Sequence, residues 1–139
     1  MIRKCETTDI DTVLEIWLEA SKKSHDFIEA SFWESQLINM REVYLPKSEI
    51  YVYEKEGTVA GFYALQLNTL AAIFVKPEWQ GNGIGHALIS HAKSKCKTLV
   101  LTVYKENLSS YRFYLGHGFS VVREQIDTHT GHVELLMST

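Results

Sequence analysis

The sequence LAAIFVKPEWQGNGIGHALISH, residues 70–91, decides the fold of this chain. It opens with the apolar run Leu70–Val75 and continues into a turn with glycine at every second position, namely Gly81, Gly83 and Gly85. After the turn the apolar residues recur at helical spacing, so the segment predicts a strand, a glycine-rich turn and a helix. Such a turn leaves backbone N–H groups free at a helix start, where the helix dipole favours an anion such as phosphate.

Length and composition predict one globular domain over residues 1–139. Hydrophobic residues make up 45% of the chain, which is enough for a core. The net charge of −3 lacks the basic excess typical of proteins that bind nucleic acid or anionic membranes, so we expect neither partner. No apolar run is long enough to span a membrane, the N-terminus has no secretory signal, and the two cysteines are typical of free thiols. We therefore expect a cytoplasmic protein.

Hydrophobic periodicity predicts the element order β-α-α-β-β-β-α-β-α-β-β. Strands are expected at residues 2–5, 49–54, 58–67, 70–75, 98–103, 119–127 and 132–137. Helices are expected from a cap at Thr8 to between Ser21 and Ser24, from Glu29 or Ala30 to Tyr44, from Gly83 to Lys95, and from a cap at Ser109 or Ser110 to Leu115. This order predicts an α+β fold of α/β-type mixed character. Its core would be a central mixed, mostly antiparallel sheet of six to seven strands, flanked by about four helices.

The glycine turn does not fit the two common nucleotide-binding motifs. A Walker loop ends in Gly-Lys-Ser or Gly-Lys-Thr, and this turn does not. The dinucleotide fingerprint G-x-G-x-x-G needs its third glycine one position later, and it follows the first strand of its fold, whereas this turn follows the fourth. The turn therefore fits another phosphate-bearing ligand better.

Two patterns resemble signatures of the GNAT superfamily of N-acetyltransferases. Gln80-x-x-Gly83-x-Gly85 resembles the acetyl-CoA pyrophosphate loop, and Asn107-x-x-Ser110-x-x-Phe113-Tyr114-x-x-x-Gly118-Phe119 resembles the family's second signature. The element order also matches the family, so the resemblance implies the acyl-CoA N-acyltransferase fold. A closer resemblance to small bacterial GNAT proteins, including protein-lysine acetyltransferases, rests on Ile2-Arg3, the helix of Trp17, His25-Asp26-Phe27 and the helix of Trp33.

The resemblance implies a binding site for acetyl-CoA as the acetyl donor. Backbone N–H groups of the turn would hold the pyrophosphate, and the main chain of the preceding strand would pair with the pantetheine arm. A strand amide can also polarise the thioester carbonyl. The implied cofactor-binding residues are Ile73, Phe74, Val75, Gln80, Gly81, Asn82, Gly83, Ile84, Gly85, His86, Asn107 and Tyr114. For Asn107, simple capping of the following helix is the alternative.

The resemblance also implies catalytic residues. Tyr114 is the expected general acid, because a phenol can protonate the departing thiolate, and Tyr111 is its rival one turn away. His25 is the candidate general base, with Asp26 and Glu29 as alternatives. The histidines and acids have no metal-ligand spacing, so we expect no metal.

The predicted function is an acetyl-CoA-dependent N-acetyltransferase that acts on a primary amine. The amine would belong to a protein lysine, a peptide or a small molecule, and would attack the thioester directly in a ternary complex. The first alternative is a non-catalytic acyl-CoA-binding or sensing module on the same fold. The second is a nucleotide-binding module. The acceptor is open at this stage, and the protein would be a monomer or a homodimer.

Overall fold

The computed structural model describes all of residues 1–139, and a seven-stranded sheet lies at its centre. The strands are β1 (Ile2–Lys4), β2 (Glu49–Lys55), β3 (Thr58–Gln66), β4 (Thr69–Val75), β5 (Val100–Tyr104), β6 (Ser120–Ile126) and β7 (Val133–Ser138). Their spatial order is β1-β2-β3-β4-β5-β7-β6. Every neighbouring pair is antiparallel except β4 and β5, which are parallel. The predicted mixed, mostly antiparallel sheet is therefore confirmed.

Helices cover both faces of the sheet. They are α1 (Ile10–Ser24), α2 (Ala30–Ser35), α3 (Leu37–Asn39), α4 (Ile84–Lys95) and α5 (Leu108–Gly116). Two apolar cores result, because consecutive side chains of a strand point to opposite faces. In β3, Phe62 packs into the core under α1, and Tyr63 packs into the core under α4. None of the helices combines the length and the apolarity needed to cross a membrane.

The start of α1 differs from the prediction. Thr8 does not cap the helix but lies inside a 3-10 turn, Thr7–Asp9, that precedes it. No side chain caps α1 itself, and Asp9 instead closes the capping box of the 3-10 turn, where its carboxylate accepts a hydrogen bond from the backbone N–H of Glu6 at 2.8 Å. Arg3 of β1 donates to the same carboxylate at 2.7 Å and lowers the pKa of Asp9. The ion pair therefore ties this turn to β1, the strand that precedes it.

The single helix predicted up to Tyr44 is broken into several pieces. After α2 and α3 the chain forms a π-helical turn, Met40–Tyr44, and a short 3-10 turn, Leu45–Lys47. At the end of α2 the Ser35 hydroxyl donates to the carbonyl of Phe32 at 2.6 Å. A serine that bonds to the preceding turn competes with the helical backbone bonds and bends a helix. Periodicity alone did not reveal this break.

The sheet is nearly divided between β4 and β5. The two strands pair at one point, where Thr69 lies opposite Val100. Along the rest of β4, Leu70–Val75, no pairing with β5 is made, although the other edge of β4 pairs with β3 up to Val75. The backbone of β4 therefore borders an open gap in the middle of the sheet.

Candidate active site

A cleft of about 1200 Å³ runs through the gap between β4 and β5. We call one wall the turn half, which comprises residues 70–75 of β4, residues 79–81 and 83–86 of the glycine turn and α4, and residues 113 and 114 of α5. We call the other wall the hairpin half, which comprises residues 20, 21, 24, 25, 32 and 33 of the α1–α2 region, residues 102–104 of β5, and residues 125–129 and 134 around β6 and β7. Side chains from both faces of the sheet therefore meet in one cleft.

The glycine turn has a backbone shape that requires glycine at two positions. Gly81 has φ of 83° and Gly83, the N-cap residue of α4, has φ of 80°, both in the left-handed region that disfavours a Cβ. The side chain of Gln80 donates to the carbonyl of Val75 at 3.2 Å, and that of Asn82 donates to the carbonyl of Trp79 at 2.9 Å. These side chains brace the turn. The first N–H groups of α4 therefore remain as donors without intrahelical partners.

Gly85 and His86 join the start of α4 to α5. Gly85 faces the ring of Phe113, which would lie 3.4 Å from a Cβ at this position. His86 Nδ1 lies 2.9 Å from His117 Nε2, while His117 Nδ1 lies 2.8 Å from the carbonyl of Phe113. A carbonyl can only accept, so this network assigns the His117 proton to Nδ1 and makes His86 the donor of the pair. The cofactor roles of Gly85 and His86 stay predictions.

Tyr114 reaches the cleft from α5, and Tyr111 does not line it. The Tyr114 ring packs edge-on against Phe113 and Phe119, which fixes its position. Burial raises the pKa of the Tyr114 hydroxyl above its usual value, and no charged neighbour contributes to this shift. The phenol therefore holds its proton at neutral pH. Of the two tyrosines, Tyr114 has the position that a proton donor to the cleft requires.

Asn107 connects the two halves of the cleft. Its Oδ1 accepts a hydrogen bond from the backbone N–H of Ser110 at 3.3 Å, so Asn107 is the N-cap of α5. The prediction that Ser109 or Ser110 caps this helix is therefore wrong. The Asn107 Nδ2 lies 3.1 Å from His25 Nε2, across 82 residues of sequence. Capping was the alternative role considered for Asn107, and its contact with a cofactor stays a prediction.

His25 is buried at the end of α1 among aromatic rings. Because the Asn107 amide is oriented by its cap bond, Nδ2 donates to Nε2 of His25, and the His25 proton must sit on Nδ1. Desolvation lowers the pKa of His25 from 6.5 to about 4, so the imidazole is neutral near pH 7. Its neighbours Asp26 and Glu29, the alternative bases, do not line the cleft.

Three buried polar atoms in the chain lack a hydrogen-bond partner: Ser21 Oγ, His25 Nδ1 and Trp33 Nε1. All three belong to residues that line the hairpin half of the cleft. His25 and Trp33 are in ring contact at 5.1 Å, and Ser21 lies one helical turn before His25. Each of these groups can donate a hydrogen bond, so each lacks an acceptor within the chain.

Two carboxylates that were not among the predicted site residues, Asp127 and Glu134, line the hairpin half. Asp127 accepts a hydrogen bond from the hydroxyl of Tyr104, and Glu134 accepts one from Gln125 Nε2 at 2.5 Å. No lysine or arginine lines the cleft. The chain has no group of three or more histidine, cysteine, aspartate or glutamate side chains that could hold a metal ion. The alternation of apolar and polar residues along β7 predicts that Glu134 points away from the core that contains Leu135. Nothing in the sequence predicts that Glu134 lines this cleft.

Comparison with known proteins supports an acetyltransferase. The acetyltransferase (GNAT) domain family matches residues 5–137 of the chain. The chain is 34% identical over 123 residues to the peptidyl-lysine N-acetyltransferase YiaC of Escherichia coli strain K12, an alignment that covers 88% of this chain and 84% of YiaC. The match with the family extends over nearly the whole sequence, including both halves of the cleft.

Solved structures share the fold. The solution structure of apo YjaB from Escherichia coli superposes with a TM-score of 0.87 at 25% identity, covering 99% of this chain and 95% of YjaB. The PaiA N-acetyltransferase of Thermoplasma acidophilum, solved in complex with coenzyme A, superposes with a TM-score of 0.85 at 24% identity, covering 100% of this chain and 97% of PaiA. With the family match, they confirm the predicted fold and the predicted enzyme class. The chain belongs to the GNAT family of N-acetyltransferases.

Proposed function

We propose that this protein transfers the acetyl group of acetyl-CoA to the ε-amine of a lysine side chain in a protein or peptide. The observation that carries the proposal is the gap beside β4, which joins the turn half to the hairpin half. A thioester lying in this gap can be reached by an amine from the other side. Both reactants can then be bound at once, and holding them in place supplies much of the rate.

Acetyl-CoA would bind along the turn half. Backbone N–H groups at Gly81, Gly83 and the start of α4 offer donors to the pyrophosphate, aided by the helix dipole. The edge of β4 at Ile73–Val75 that does not pair with β5 offers backbone groups to the pantetheine arm, as a strand edge does to a peptide, although the Val75 carbonyl already accepts from Gln80. The same fold holds coenzyme A in the Thermoplasma protein. Thermal stabilisation by coenzyme A tests this part independently of catalysis.

Tyr114 would protonate the departing thiolate of coenzyme A. The ammonium first gives one proton to solvent, and the neutral amine nitrogen then attacks the carbonyl carbon to form the C–N bond. Collapse of the tetrahedral intermediate breaks the C–S bond, and the surplus proton on the new amide nitrogen replaces the one that Tyr114 donates. The sulfur then needs a proton, and the hydroxyl of Tyr114 carries one at neutral pH. A β4 amide would hold the oxyanion while it exists.

His25 as the general base stays a prediction. Its low pKa leaves it unprotonated at pH 7, as a base must be, but Asn107 occupies the lone pair on Nε2. His25 can take a proton only if that bond is released. In the arrangement seen here it acts as a neutral link between α1 and the cap of α5.

The charge of the cleft supports an amine that arrives as a cation. Asp127 and Glu134 line it, and no lysine or arginine does. A lysine side chain suits this potential because it is protonated near pH 7. The relative YiaC, at 34% identity, is a peptidyl-lysine N-acetyltransferase, which supports a lysine in a polypeptide as the acceptor.

An acceptor screen with acetyl-CoA tests the proposal. Lysine-containing peptides, peptides with only a free α-amine, and polyamines would be compared by thiol release and product mass. We expect the lysine peptides to give an ε-acetylated product with the highest kcat/KM. Stabilisation by coenzyme A without transfer to any amine would instead indicate a binding module. Stabilisation by ATP or NAD but not by coenzyme A would contradict the proposal entirely.

A further inference from the structure

Glu134 lies on the face of β7 that is turned toward the cleft. In β7 its neighbours Leu135 and Met137 are buried in the core under α4, so Glu134 points to the opposite face. There it lies between two strands, opposite Tyr104 of β5 and opposite Gln125 of β6. The register therefore places this carboxylate on the middle strand of β5–β7–β6, with β5 between it and the gap, where it lines the hairpin half of the cleft.

The two carboxylates of the hairpin half differ in the number of hydrogen bonds that they accept from the chain. Asp127 accepts hydrogen bonds on both oxygens, from Tyr104, Thr130 and His129. These bonds hold the turn between β6 and β7 and lower the pKa of Asp127. Glu134 accepts one bond, on Oε2 from Gln125, and its Oε1 has no partner within the chain. Glu134 is therefore the cleft carboxylate that has an oxygen left for a ligand.

Nothing in the cleft neutralises Glu134. The titratable groups that face this region are Tyr104 from β5, Asp127 and His129 from the turn, His132 before β7, and His25 from the end of α1. Tyr104 and His25 are uncharged near pH 7, since burial raises the pKa of Tyr104 and lowers that of His25. His129 contacts Asp127, and His132 contacts Glu106. The field at Oε1 is therefore negative.

We propose that Glu134 is the specificity residue that binds the ammonium group of the acceptor before transfer. This inference rests on the proposed function and adds the group that selects a cationic acceptor. An ammonium N–H donated to Oε1 forms a charge-assisted hydrogen bond, and Gln125 keeps the carboxylate oriented from its other oxygen. Glu134 would thereby select amines that are protonated in solution and disfavour acceptors that are neutral or acidic.

Steady-state kinetics of Glu134→Gln test the proposal. The amide keeps the size of the side chain and removes its charge. The cationic acceptor is Nα-acetyl-lysine methylamide, and the neutral comparison acceptor is hexanoic hydrazide, both at pH 7.5. We expect the KM for the lysine derivative to rise about tenfold or more, as for a lost hydrogen bond to a charged group, with kcat and the kinetics of the hydrazide little changed. Glu134→Asp should recover part of the affinity.

Glu124→Gln is the matched control. Glu124 lies on the neighbouring strand β6, pairs with Lys105 at 2.6 Å, and does not line the cleft, so its removal should leave both acceptors unchanged. Raising the ionic strength should increase the KM of the wild type for the lysine derivative and should hardly affect Glu134→Gln, because salt screens a charge that the variant lacks.

Three results would overturn the inference about Glu134. They are an unchanged KM for the lysine derivative in Glu134→Gln, an equal loss for lysine derivative and hydrazide, and the same salt dependence in both proteins. Each leaves the proposed function standing, as long as the wild type acetylates the lysine derivative. If the wild type binds coenzyme A but acetylates no cationic amine, both the proposed function and the inference fail.

Discussion

The turn half and the hairpin half of the cleft are built in opposite ways. The turn half comes from one continuous segment, residues 70–86, and one helix, and it offers mainly backbone groups whose directions follow from Gly81 and Gly83. The hairpin half is assembled from side chains that are far apart in the chain, such as His25, Tyr104 and Glu134. A binding site made of backbone groups keeps its hydrogen-bond donors when side chains are substituted. A binding site made of side chains changes its ligand preference when they are substituted. The first suits a constant cofactor, and the second suits an acceptor that differs between relatives.

Replacing Tyr114 by Phe removes the proposed proton donor of the turn half and should have the largest effect. Loss of a general acid typically lowers kcat by about 100-fold or more, while affinity for acetyl-CoA should be kept because the ring still packs. Rapid measurement of thiol release with a lysine peptide would give kcat and KM separately. The same change at Tyr111, which does not line the cleft, should leave kcat near that of the wild type. A large loss at Tyr111 with none at Tyr114 would reverse the assignment.

The pH dependence of stability tests the hairpin half at His25. Its pKa is about 4 in the folded protein against 6.5 when unfolded, so the unfolded state binds more protons between these values. The stabilisation is complete above about pH 6.5 and is lost as the pH falls toward 4, with about 2 kcal/mol lost between pH 7 and pH 5. Urea unfolding at the two pH values should show this difference in the wild type and much less of it in His25→Gln. His129→Gln, at an exposed histidine, is the control and should keep the full dependence.

Replacing Gly83 by Ala tests whether the turn half depends on its backbone. A residue with a Cβ in the left-handed region costs about 1–2 kcal/mol, and relief of this strain would move the N–H groups at the start of α4. Thermal unfolding should show a lower Tm and a smaller stabilisation by coenzyme A. Gly116→Ala is the matched change, since Gly116 does not have positive φ and has open space around its Cβ position. Equal behaviour of the two variants would argue against the strained turn.

The smallest predicted effect concerns Ser21, whose buried hydroxyl has no partner. Replacing Ser21 by Ala removes an unpaired polar group from the helix and should stabilise the protein by about 1 kcal/mol. Denaturant unfolding of the free protein measures this. If the variant is instead destabilised, a tightly held water satisfies the hydroxyl, and the hairpin half would then be preorganised like the turn half.

The sequence predicted the turn half well because its information is local. Gly83 and Gly85 follow a strand and open a helix, and those neighbours are enough to fix the backbone. The order of elements along the chain followed in the same way from periodicity, whereas the mixed, mostly antiparallel sheet is what the family resemblance implied. The break at Ser35 was missed because periodicity records which side chains are apolar and does not record a hydroxyl that bonds to the backbone.

The hairpin half could not be predicted because its geometry depends on long-range pairing. Alternation in β7 separates Glu134 from Leu135, but the place of Glu134 in the wall of the cleft depends on β7 lying between β5 and β6. The contact of Asn107 with His25 likewise joins residues that share no local pattern. Both residues were predicted as site residues, but the hydrogen bond between them was not predicted.

The single pairing of Thr69 with Val100 has a consequence for the cooperativity of the whole sheet. The four strands β1–β4 form one hydrogen-bonded ribbon, the strands β5–β7 form another, and one ladder step joins them. Backbone hydrogen bonds therefore couple the two ribbons weakly, and the core under α4 is what mainly joins them. A cofactor arm that bonds along β4 would occupy the place of a missing strand and couple the two ribbons mechanically. Binding of the acetyl donor would then stiffen the surface that receives the acceptor, which favours an ordered sequence with the cofactor first.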